Sequence, residues 1–229
     1  MRDAPFDALQ NKNALEDLLL SMGLNDEIGE EFPRELGTYS GFGLYSWQYP
    51  SQFSGMLLEI CKLNINSYIE IGVRHGGTFI IITEYHARFN SDFEKSIAVD
   101  HNGSSSLRKY ANDRQGVEFI TASSLSDEFR DYINKSDVFD LAFIDGDHSY
   151  EDARSDFVLM RDKARHLIFH DIASIARPGN ISPTNRIVEK NRYRCLLHIR
   201  PQLLITRQAR YQNDKIDCIY CNEWRPEYP

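Results

Sequence analysis

The sequence predicts an α/β protein with a mostly parallel sheet of seven strands, helices on both faces of the sheet and a helical extension at the N-terminus. From Tyr68 onward, short apolar segments of strand length alternate with longer segments of helical periodicity. Hydrophobic residues make up 41% of the 229 residues, which is enough for a full core. The apolar segments end in glycine or a polar residue, where strands of an open parallel sheet reach a ligand crevice.

The N-terminal part of the chain predicts two helices joined by an irregular segment. Apolar residues at helical spacing indicate a helix over 11–22. A second helix begins at Pro50, because a proline in the first helical turn loses no hydrogen bond. Residues 25–50 are rich in Gly, Glu and aromatic residues and are expected to be irregular. We therefore expect a helical extension or lid over residues 1–49 and a main domain over 50–229.

Strands and helices are expected to alternate through the middle of the chain. The predicted strands span 68–72, 96–100, 117–121, 139–145 and 166–171. The predicted helices span 78–89, 105–113, 127–134 and 150–162. In the tail, a helix near 185–191 and two strands near 196–200 and 216–220 are expected, and the two strands are expected to pair as an antiparallel edge.

Composition and charge exclude several classes of partner. The net charge of -8 and the lack of a basic run argue against nucleic acid. No apolar run reaches the length of a membrane span and the N-terminus does not resemble a signal peptide, so we expect no membrane partner and a cytoplasmic location. Cys218 and Cys221 form a CxxC pair without a second pair. Structural thiols in a reducing compartment are favoured there over a metal or redox role.

The first motif, E-I-G-V-R-H-G-G-T, runs from Glu70 to Thr78 at the first predicted strand-to-helix turn. Glycines allow the backbone to bend tightly and to approach a ligand closely. The G-x-x-x-G-G spacing departs from the G-x-G-x-x-G fingerprint, whose second glycine lets the backbone meet a pyrophosphate. The motif therefore disfavours a nicotinamide dehydrogenase and favours a nucleoside ligand without a pyrophosphate. A plain tight turn is the alternative.

Polar residues follow the second and third predicted strands. Asp100 ends the second strand, where an acid in dinucleotide-binding folds accepts hydrogen bonds from ribose hydroxyls. The alternative is an N-cap of the next helix, but three residues separate Asp100 from that helix. Ser123 follows the third strand and is a candidate contact to an adenine edge. The alternative for Ser123 is an ordinary helix start.

Two further motifs, F-I-D-G-D-H-S-Y-E over 143–151 and F-H-D over 169–171, end strands that are expected to be neighbours. Asp145, His170 and Asp171 should then converge at the crevice and hold Mg²⁺ or Mn²⁺. Without a cation, two buried acids would face each other unpaired, which is costly. The alternative for His170 is a core histidine bonded to the backbone.

His148 lies three residues after Asp145 on the same predicted loop. The ordinary pKa of histidine suits the removal of a hydroxyl proton near neutral pH, so His148 is a candidate general base. A surface turn residue is the alternative. Asp147 and Ser149 are expected to cap the following helix, and for Asp147 this capping role is favoured over a role in the chemistry.

Together these motifs resemble the class I S-adenosylmethionine-dependent methyltransferases. More narrowly, they resemble the metal-dependent sugar O-methyltransferases of macrolide biosynthesis (the macrocin and mycinamicin type) and the cephalosporin-hydroxylase-like group. The similarity covers roughly residues 45–172 and implies a Rossmann-like fold. It implies that Gly72 and its loop hold the methionine part of the cofactor, Asp100 the ribose, Asp145 and Asp171 the metal, and that His148 is the base. His170 departs from the sugar enzymes, which commonly carry an acid before the last aspartate.

The resulting expectation is an S-adenosylmethionine-dependent O-methyltransferase that uses Mg²⁺ or Mn²⁺ and modifies a sugar or other small molecule. A sugar hydroxyl is the first choice of acceptor and a catechol-like molecule the second, and a homo-oligomeric assembly is left open. The expected catalytic residues are His148 and Asp145, and the expected metal ligands are Asp145, His170 and Asp171. The expected cofactor contacts are Glu70, Gly72, Gly76, Gly77, Thr78, Asp100 and Ser123. The rival expectations are a metal-dependent hydrolase or hydroxylase and a non-catalytic binding module.

An aromatic segment, Y-S-W-Q-Y-P over 45–50, precedes the helix that begins at Pro50. Aromatic side chains on a loop above the crevice would cover the cofactor or stack on a sugar. Alternatively, they form a hydrophobic staple that joins the extension to the core. Trp47 and Gln48 are the two residues whose replacement would separate these interpretations.

Overall fold

The computed structural model describes residues 1–27, 34–147 and 149–170, together with the backbone of 194–199 and 203–207. The strands are β1 (Ser67–Ile71), β2 (Lys95–Asp100), β3 (Val117–Thr121), β4 (Phe139–Ile144), β5 (Ala164–Phe169), β6 (Arg194–Ile199) and β7 (Leu203–Arg207). They form one sheet in the order β3-β2-β1-β4-β5-β7-β6. The strands β1 to β5 pair in parallel, and β7 is antiparallel to both of its neighbours. The predicted mostly parallel, seven-stranded sheet is confirmed.

The tail differs from the prediction in the identity of the second strand. The strand β6 lies near the expected 196–200, but it pairs with 203–207, which inserts between β5 and β6. Only three residues separate β6 from β7, and a short connection between two apolar segments favours a hairpin over a longer excursion. The expected strand at 216–220, the helix at 185–191 and the CxxC pair lie outside the described residues.

The helices form where sequence signals mark their ends. They are α1 (Phe6–Gln10), α2 (Lys12–Ser21), α3 (Pro50–Ile60), α4 (Gly77–Phe89), α5 (Ser105–Asp113), α6 (Asp127–Lys135) and α7 (Tyr150–Met160), with a 3-10 helix at Arg34–Tyr39. Side chains of Asn11, Ser104, Ser126 and Ser149 accept hydrogen bonds from backbone amides in the first turns of α2, α5, α6 and α7. Two short elements, α1 and the 3-10 helix, were not predicted. None of the helices in the described part of the chain has the length and hydrophobicity that a transmembrane span requires.

Strand residues alternate between two hydrophobic clusters, one on each face of the sheet. Tyr68 packs in the first cluster with side chains from α2, α3 and α4, whereas Ile69 and Ile71 pack in the second with α6 and α7. Leu9 and Leu15 from the N-terminal segment are fully buried in the first cluster. The N-terminal helices therefore share a core with the sheet.

The strand order reverses between β1 and β4, at the centre of the sheet. The chain moves outward from β1 to β3 and then returns to β4 on the other side of β1. Loops that leave neighbouring strands in opposite directions open a crevice at the carboxyl edge of such a sheet. The fold thus places a ligand crevice beside the ends of β1, β2 and β4.

Gly72, directly after β1, lets the strand ends approach each other at this reversal. Its φ is +87°, and an added Cβ would lie 2.2 Å from the carbonyl oxygen of Asp145. The Asp145 amide donates to the carbonyl oxygen of Ile71 at 2.8 Å, and the His170 amide donates to Ile144 at 3.0 Å. These backbone bonds fix the three strand ends next to each other. Only glycine has both the conformation and the space at position 72.

We expect Gly72→Ala to destabilise the protein by about 2 kcal/mol or more, because a Cβ there combines a left-handed backbone with a backbone collision. Urea unfolding measures this loss. The matched control is Gly55→Ala, since an added Cβ at this position within α3 meets no atom within 4 Å. That variant should gain up to about 1 kcal/mol from helix propensity. Equal stability of Gly72→Ala and wild type would contradict the steric argument.

His86 is a buried titratable side chain in α4. It is 1% exposed, its ring stacks on Phe93 with centroids 5.8 Å apart, and its Nε2 has no hydrogen-bond partner within the described residues. Burial lowers the pKa of His86 from 6.5 to about 4. The unfolded chain therefore binds a proton more readily than the folded chain between these two values. His86 makes the protein less stable as the pH falls through this window.

At pH 5 we expect His86 to cost the folded state about 2 kcal/mol relative to neutral pH. The test is urea unfolding of wild type and His86→Leu near pH 7.5 and near pH 5. All other titrating groups are common to the two proteins, so the difference between their pH dependences isolates this histidine. The explanation fails if both proteins lose the same stability on acidification.

Candidate active site

A cleft of about 1080 Å³ opens at the carboxyl edge of the parallel strands. Residues that follow all five parallel strands line it, among them Gly72, Asp100, Ser123, Asp145 and His170. The predicted site residues at the strand ends, as far as the structure describes them, therefore line one cleft. Clefts of this size and position are typical small-molecule sites.

The remaining predicted site residues divide into three groups. Glu70, Gly77 and Thr78 also line the cleft. Gly76 is the N-cap of α4, with a φ of +89°, and an added Cβ would lie 2.9 Å from the Leu107 side chain, so glycine suits this turn. Its contact with the cofactor stays a prediction. His148 and Asp171 lie outside the described residues. Their roles as base and metal ligand stay predictions.

The N-terminal segment crosses the start of α4 at the edge of the cleft. An added Cβ at Gly77 would lie 2.4 Å from the carbonyl oxygen of Leu44, so only glycine fits beneath the segment. The aromatic residues Tyr45, Trp47 and Tyr49 line the cleft. We call residues 44–49 the strap. The strap brings aromatic side chains to the wall of the cleft, as predicted by the interpretation in which they cover the cofactor or stack on a sugar.

Asp100 ends β2 with its carboxylate in the cleft wall, 8% exposed. It accepts hydrogen bonds from the backbone amides of Arg74 and Asn102, both at 2.7 Å. The N-cap of α5 is Ser104, so the capping interpretation of Asp100 is excluded. Each carboxylate oxygen has two acceptor sites, so Asp100 keeps capacity for hydroxyl donors.

Arg74 links the glycine loop to the strap, a feature that sequence reasoning missed. Its guanidinium lies 3.7 Å from the centroid of the Trp47 ring and forms an ion pair with Glu27. Its φ of +46° is unusual for a residue with a side chain and directs its amide to Asp100. No local pattern predicts a contact between residues 27, 47 and 74. The positive charge stacked on the strap closes one side of the cleft.

Asp145 and His170 meet at the other end of the site. His170 Nδ1 lies 3.0 Å from Asp145 Oδ1, and their side chains are 9% and 16% exposed, respectively. Gln48 of the strap directs its amide nitrogen to Asp145 Oδ2 at 3.4 Å, a long hydrogen bond. His170 therefore faces a carboxylate rather than serving only to pack the core. Asp145 also has partners of its own, so a cation is not needed to compensate its burial.

Two of the three expected metal ligands, Asp145 and His170, lie in the described part of the chain. A carboxylate and an imidazole side by side are ligands that Mn²⁺ and Mg²⁺ accept, so Asp145 and His170 fit a divalent cation. In the described part of the chain, no three His, Cys, Asp or Glu side chains are grouped as a metal site. The third expected ligand, Asp171, is beyond that part.

Glu70 is the most deeply buried acid of the cleft, at 1% exposure. Burial raises its pKa well above the ordinary value, and the nearby Asp145 raises it further. Hydrogen bonding from the Tyr68 hydroxyl and the proximity of His170 act in the opposite direction. A cationic ligand near Glu70 would favour its charged form.

Asp156, on α7, is a second residue that sequence reasoning missed. It lines the cleft, is 1% exposed, and its Oδ1 has no hydrogen-bond partner among the residues that the structure describes. The α7 N-cap is Ser149, whereas Asp147 accepts from the Ser149 amide at 2.7 Å. The predicted cap at Ser149 is confirmed, whereas Asp147 is not the N-cap residue. The acid at position 156 had no motif around it that could have marked it.

Comparisons with known proteins agree with this geometry. Residues 69–172 match the sequence model of the methyltransferase domain family. No curated protein sequence matches the chain. The structure of a candidate caffeoyl-CoA O-methyltransferase from Staphylococcus aureus superposes with a TM-score of 0.54 at 18% identity, covering 87% of this chain and 99% of that one.

Two further solved structures are similar. An O-methyltransferase from Bacillus cereus in complex with S-adenosylhomocysteine gives a TM-score of 0.51 at 15% identity, covering 90% of this chain and 93% of that one. The MycE methyltransferase of the mycinamycin biosynthetic pathway, in complex with Mg and S-adenosylhomocysteine, gives 0.52 at 16% identity, covering 77% of this chain and 53% of that one. At such identities the similarity establishes the fold. Residues 69–172 are therefore similar to the methyltransferase domain family, and the chain shares the fold of these O-methyltransferases.

Proposed function

We propose that the protein transfers a methyl group from S-adenosylmethionine to a hydroxyl of a sugar or other small molecule, with the help of a divalent cation. The observation that carries this proposal is that a single cleft joins Asp100 to the Asp145–His170 pair. The first is suited to a nucleoside and the second to a cation with an attached hydroxyl. A site for binding alone would not require both.

The residues of the cleft suit the cofactor along its length. Asp100 has free acceptor capacity for the two ribose hydroxyls. Ser123, after β3, also lines the cleft, and in this proposal it would contact the adenine edge. The loop from Gly72 to Thr78 would receive the methionine part, and Glu70 would favour its ammonium group. When bound, the cofactor supplies an electrophilic methyl group on a sulfonium.

We propose that Asp145 and His170, with Asp171 as the next residue in sequence, hold Mg²⁺ or Mn²⁺. The cation would lower the pKa of the acceptor hydroxyl. His148, three residues after Asp145, would accept the proton. The strap would exclude water and hold the acceptor by stacking on Trp47 or Tyr45. Alignment of the hydroxyl with the methyl group supplies a large part of the rate enhancement.

The proposed class of acceptor rests on the similarity in fold to MycE and on the chemistry that a bound cation would supply. A sugar hydroxyl is our first proposal, which the fold of MycE, solved with Mg and mycinamycin VI at a TM-score of 0.50, supports. A catechol-like molecule is the second, because a cation held by Asp145 would suit adjacent hydroxyls of either kind. We also propose a cytoplasmic location and a homo-oligomeric assembly, with no nucleic-acid or membrane partner. The acidic net charge supports the absence of nucleic acid.

A binding experiment should distinguish the role of Asp100 from the role of the Asp145–His170 pair. We expect Asp100→Asn to weaken binding of S-adenosylhomocysteine by roughly 10- to 100-fold in isothermal titration, because a charged acceptor of ribose hydroxyls is lost. Asp131→Asn is the matched control, since this carboxylate lies on α6 and is 73% exposed. That variant should bind like wild type. Failure of wild type to bind S-adenosylhomocysteine would reject methyl transfer and favour a hydrolase or hydroxylase.

The cation should affect turnover more than cofactor binding. We expect Asp145→Asn, or chelation of the metal in wild type, to lower methyl transfer to the accepted substrate on the order of 100-fold. Binding of S-adenosylhomocysteine should change only a few-fold, since Asp100 is intact. Restoration of wild-type activity by Mg²⁺ or Mn²⁺ completes the test. Turnover that is indifferent to chelation would exclude a metal-assisted reaction.

A further inference from the structure

Two residues with side chains adopt a left-handed backbone in the described part of the chain, one on each side of the junction between the strap and the glycine loop (72–78). Tyr45 of the strap has a φ of +52°, and Arg74 of the loop has a φ of +46°. The Gly76 amide donates to the Val73 carbonyl oxygen at 2.7 Å, so Arg74 takes the second position of a four-residue turn. Glycine, asparagine or aspartate normally fill this position when φ is positive. An arginine persists there only because surrounding contacts hold it.

The backbone and the side chain of Arg74 have separate partners. Its amide donates to Asp100 Oδ2 at 2.7 Å. Its guanidinium lies over the Trp47 ring, 3.7 Å from the centroid, and forms an ion pair with Glu27. A half-exposed ion pair alone contributes little, but a guanidinium held by both an aromatic face and a carboxylate is restricted in two directions. The side chain thus anchors a backbone conformation that is otherwise unfavourable.

The strap offers a fixed surface for this anchor. The Ser46 amide donates to the Gly23 carbonyl oxygen at 3.1 Å, which joins the strap to the segment after α2. Two residues before Trp47, the Tyr45 ring contacts the His75 ring, with centroids 5.7 Å apart. Two aromatic side chains of the strap therefore contact two consecutive residues of the glycine loop. A displacement of the strap would release the loop.

We infer that Arg74 is a positioning residue: its side chain, anchored on the strap, holds the left-handed backbone that directs its amide to Asp100 and thereby orients this carboxylate for the ribose hydroxyls. The inference rests on the proposed function, since it presumes a nucleoside in the cleft. The two oxygens of Asp100 accept one backbone amide each, from Arg74 at Oδ2 and from Asn102 at Oδ1. These two bonds fix the plane of the carboxylate, and with it the directions of the remaining lone pairs. The strap thus controls a cofactor contact that it does not itself make.

A direct effect of the charge is the alternative. The Arg74 side chain also lines the cleft, where it would attract the carboxylate of the cofactor's methionine part. In that case, removal of the guanidinium would weaken every ligand that carries this carboxylate, whether or not its ribose has hydroxyls. Any two residues without a charge at position 74 would then behave alike. The positioning role instead requires that the replacement residue's tolerance of a positive φ decides the result.

The experiment compares S-adenosylhomocysteine with its analogue whose ribose lacks both hydroxyls. Isothermal titration of wild type should show a preference for the hydroxylated ligand of roughly 10- to 100-fold. In Arg74→Ala this preference should fall at least about fivefold, because alanine loses the anchor and disfavours the left-handed backbone. In Arg74→Gly it should stay within about twofold of wild type, since glycine adopts a positive φ without strain. Arg74→Asn is a second rescue variant, because asparagine also tolerates this conformation.

The role of the strap is tested by Trp47→Leu in two backgrounds. In the wild-type chain, this substitution should lower the preference for the hydroxylated ligand, because Arg74 loses its aromatic surface. In Arg74→Gly it should leave the preference unchanged, since glycine needs no anchor. Lys95→Ala is the matched control, because it removes a cation that lies over the Phe139 ring at the start of β2, at the opposite end of that strand from Asp100. That variant should keep the wild-type preference.

The outcomes separate the inference from the proposed function. Wild type that binds both ligands equally overturns the inference and leaves methyl transfer standing. An unchanged preference in Arg74→Ala also overturns it. Equal losses in the alanine, glycine and asparagine variants, with both ligands weakened in parallel, overturn it and identify the direct effect of the charge. Wild type that binds neither ligand rejects the proposed function, and with it the inference.

Discussion

The backbone contact between the ends of β1 and β4 is the constraint on which the rest of the site depends. Gly72 brings its Cα against the Asp145 carbonyl, and hydrogen bonds from Asp145 to Ile71 and from His170 to Ile144 hold the adjacent ends in place. This contact needs no side chain, so it leaves the side chains of Asp145 and His170 directed into the cleft. The reversal of strand order provides the crevice, and the lack of a Cβ at Gly72 allows the ends of β1 and β4 to lie close together there. Because the backbone is fixed at this point, the side chains at the strand ends have defined positions in the cleft.

Four buried or partly buried acids of the cleft are each accommodated differently. Glu70 is held with a raised pKa, Asp100 by backbone amides, and Asp145 by His170 and a strap amide. Asp156 has a hydroxyl contact but an open oxygen. Carboxylates therefore outnumber basic side chains in the described wall of the cleft. A ligand with a sulfonium and an ammonium is complementary to such a wall.

The sequence predicted the central sheet well because periodicity and strand length are local properties. The strand over 117–121 and the helix over 105–113 have their predicted bounds, and the other central strands and helices differ only at their ends. Residues at strand ends, such as Asp100 and Asp145, could be assigned to the crevice because parallel strands share a carboxyl edge. The missed features depend on contacts between distant segments. The Arg74 contact with Trp47, the Asp156 carboxylate and the β6–β7 pairing have no local signature.

The crossing of the strap over Gly77 has a consequence for how such a site can diversify. The strap backbone is fixed by steric exclusion, since Leu44 leaves no space for a side chain below it. Tyr45, Trp47 and Tyr49 are free of that restriction and line the cleft. Substitutions at Tyr45 and Tyr49 would change the shape of the cleft wall while the backbone crossing at Gly77 stays in place. The crossing thus separates a backbone that steric contact keeps constant from side chains that can vary, and under the proposed function that variation would change which acceptor fits.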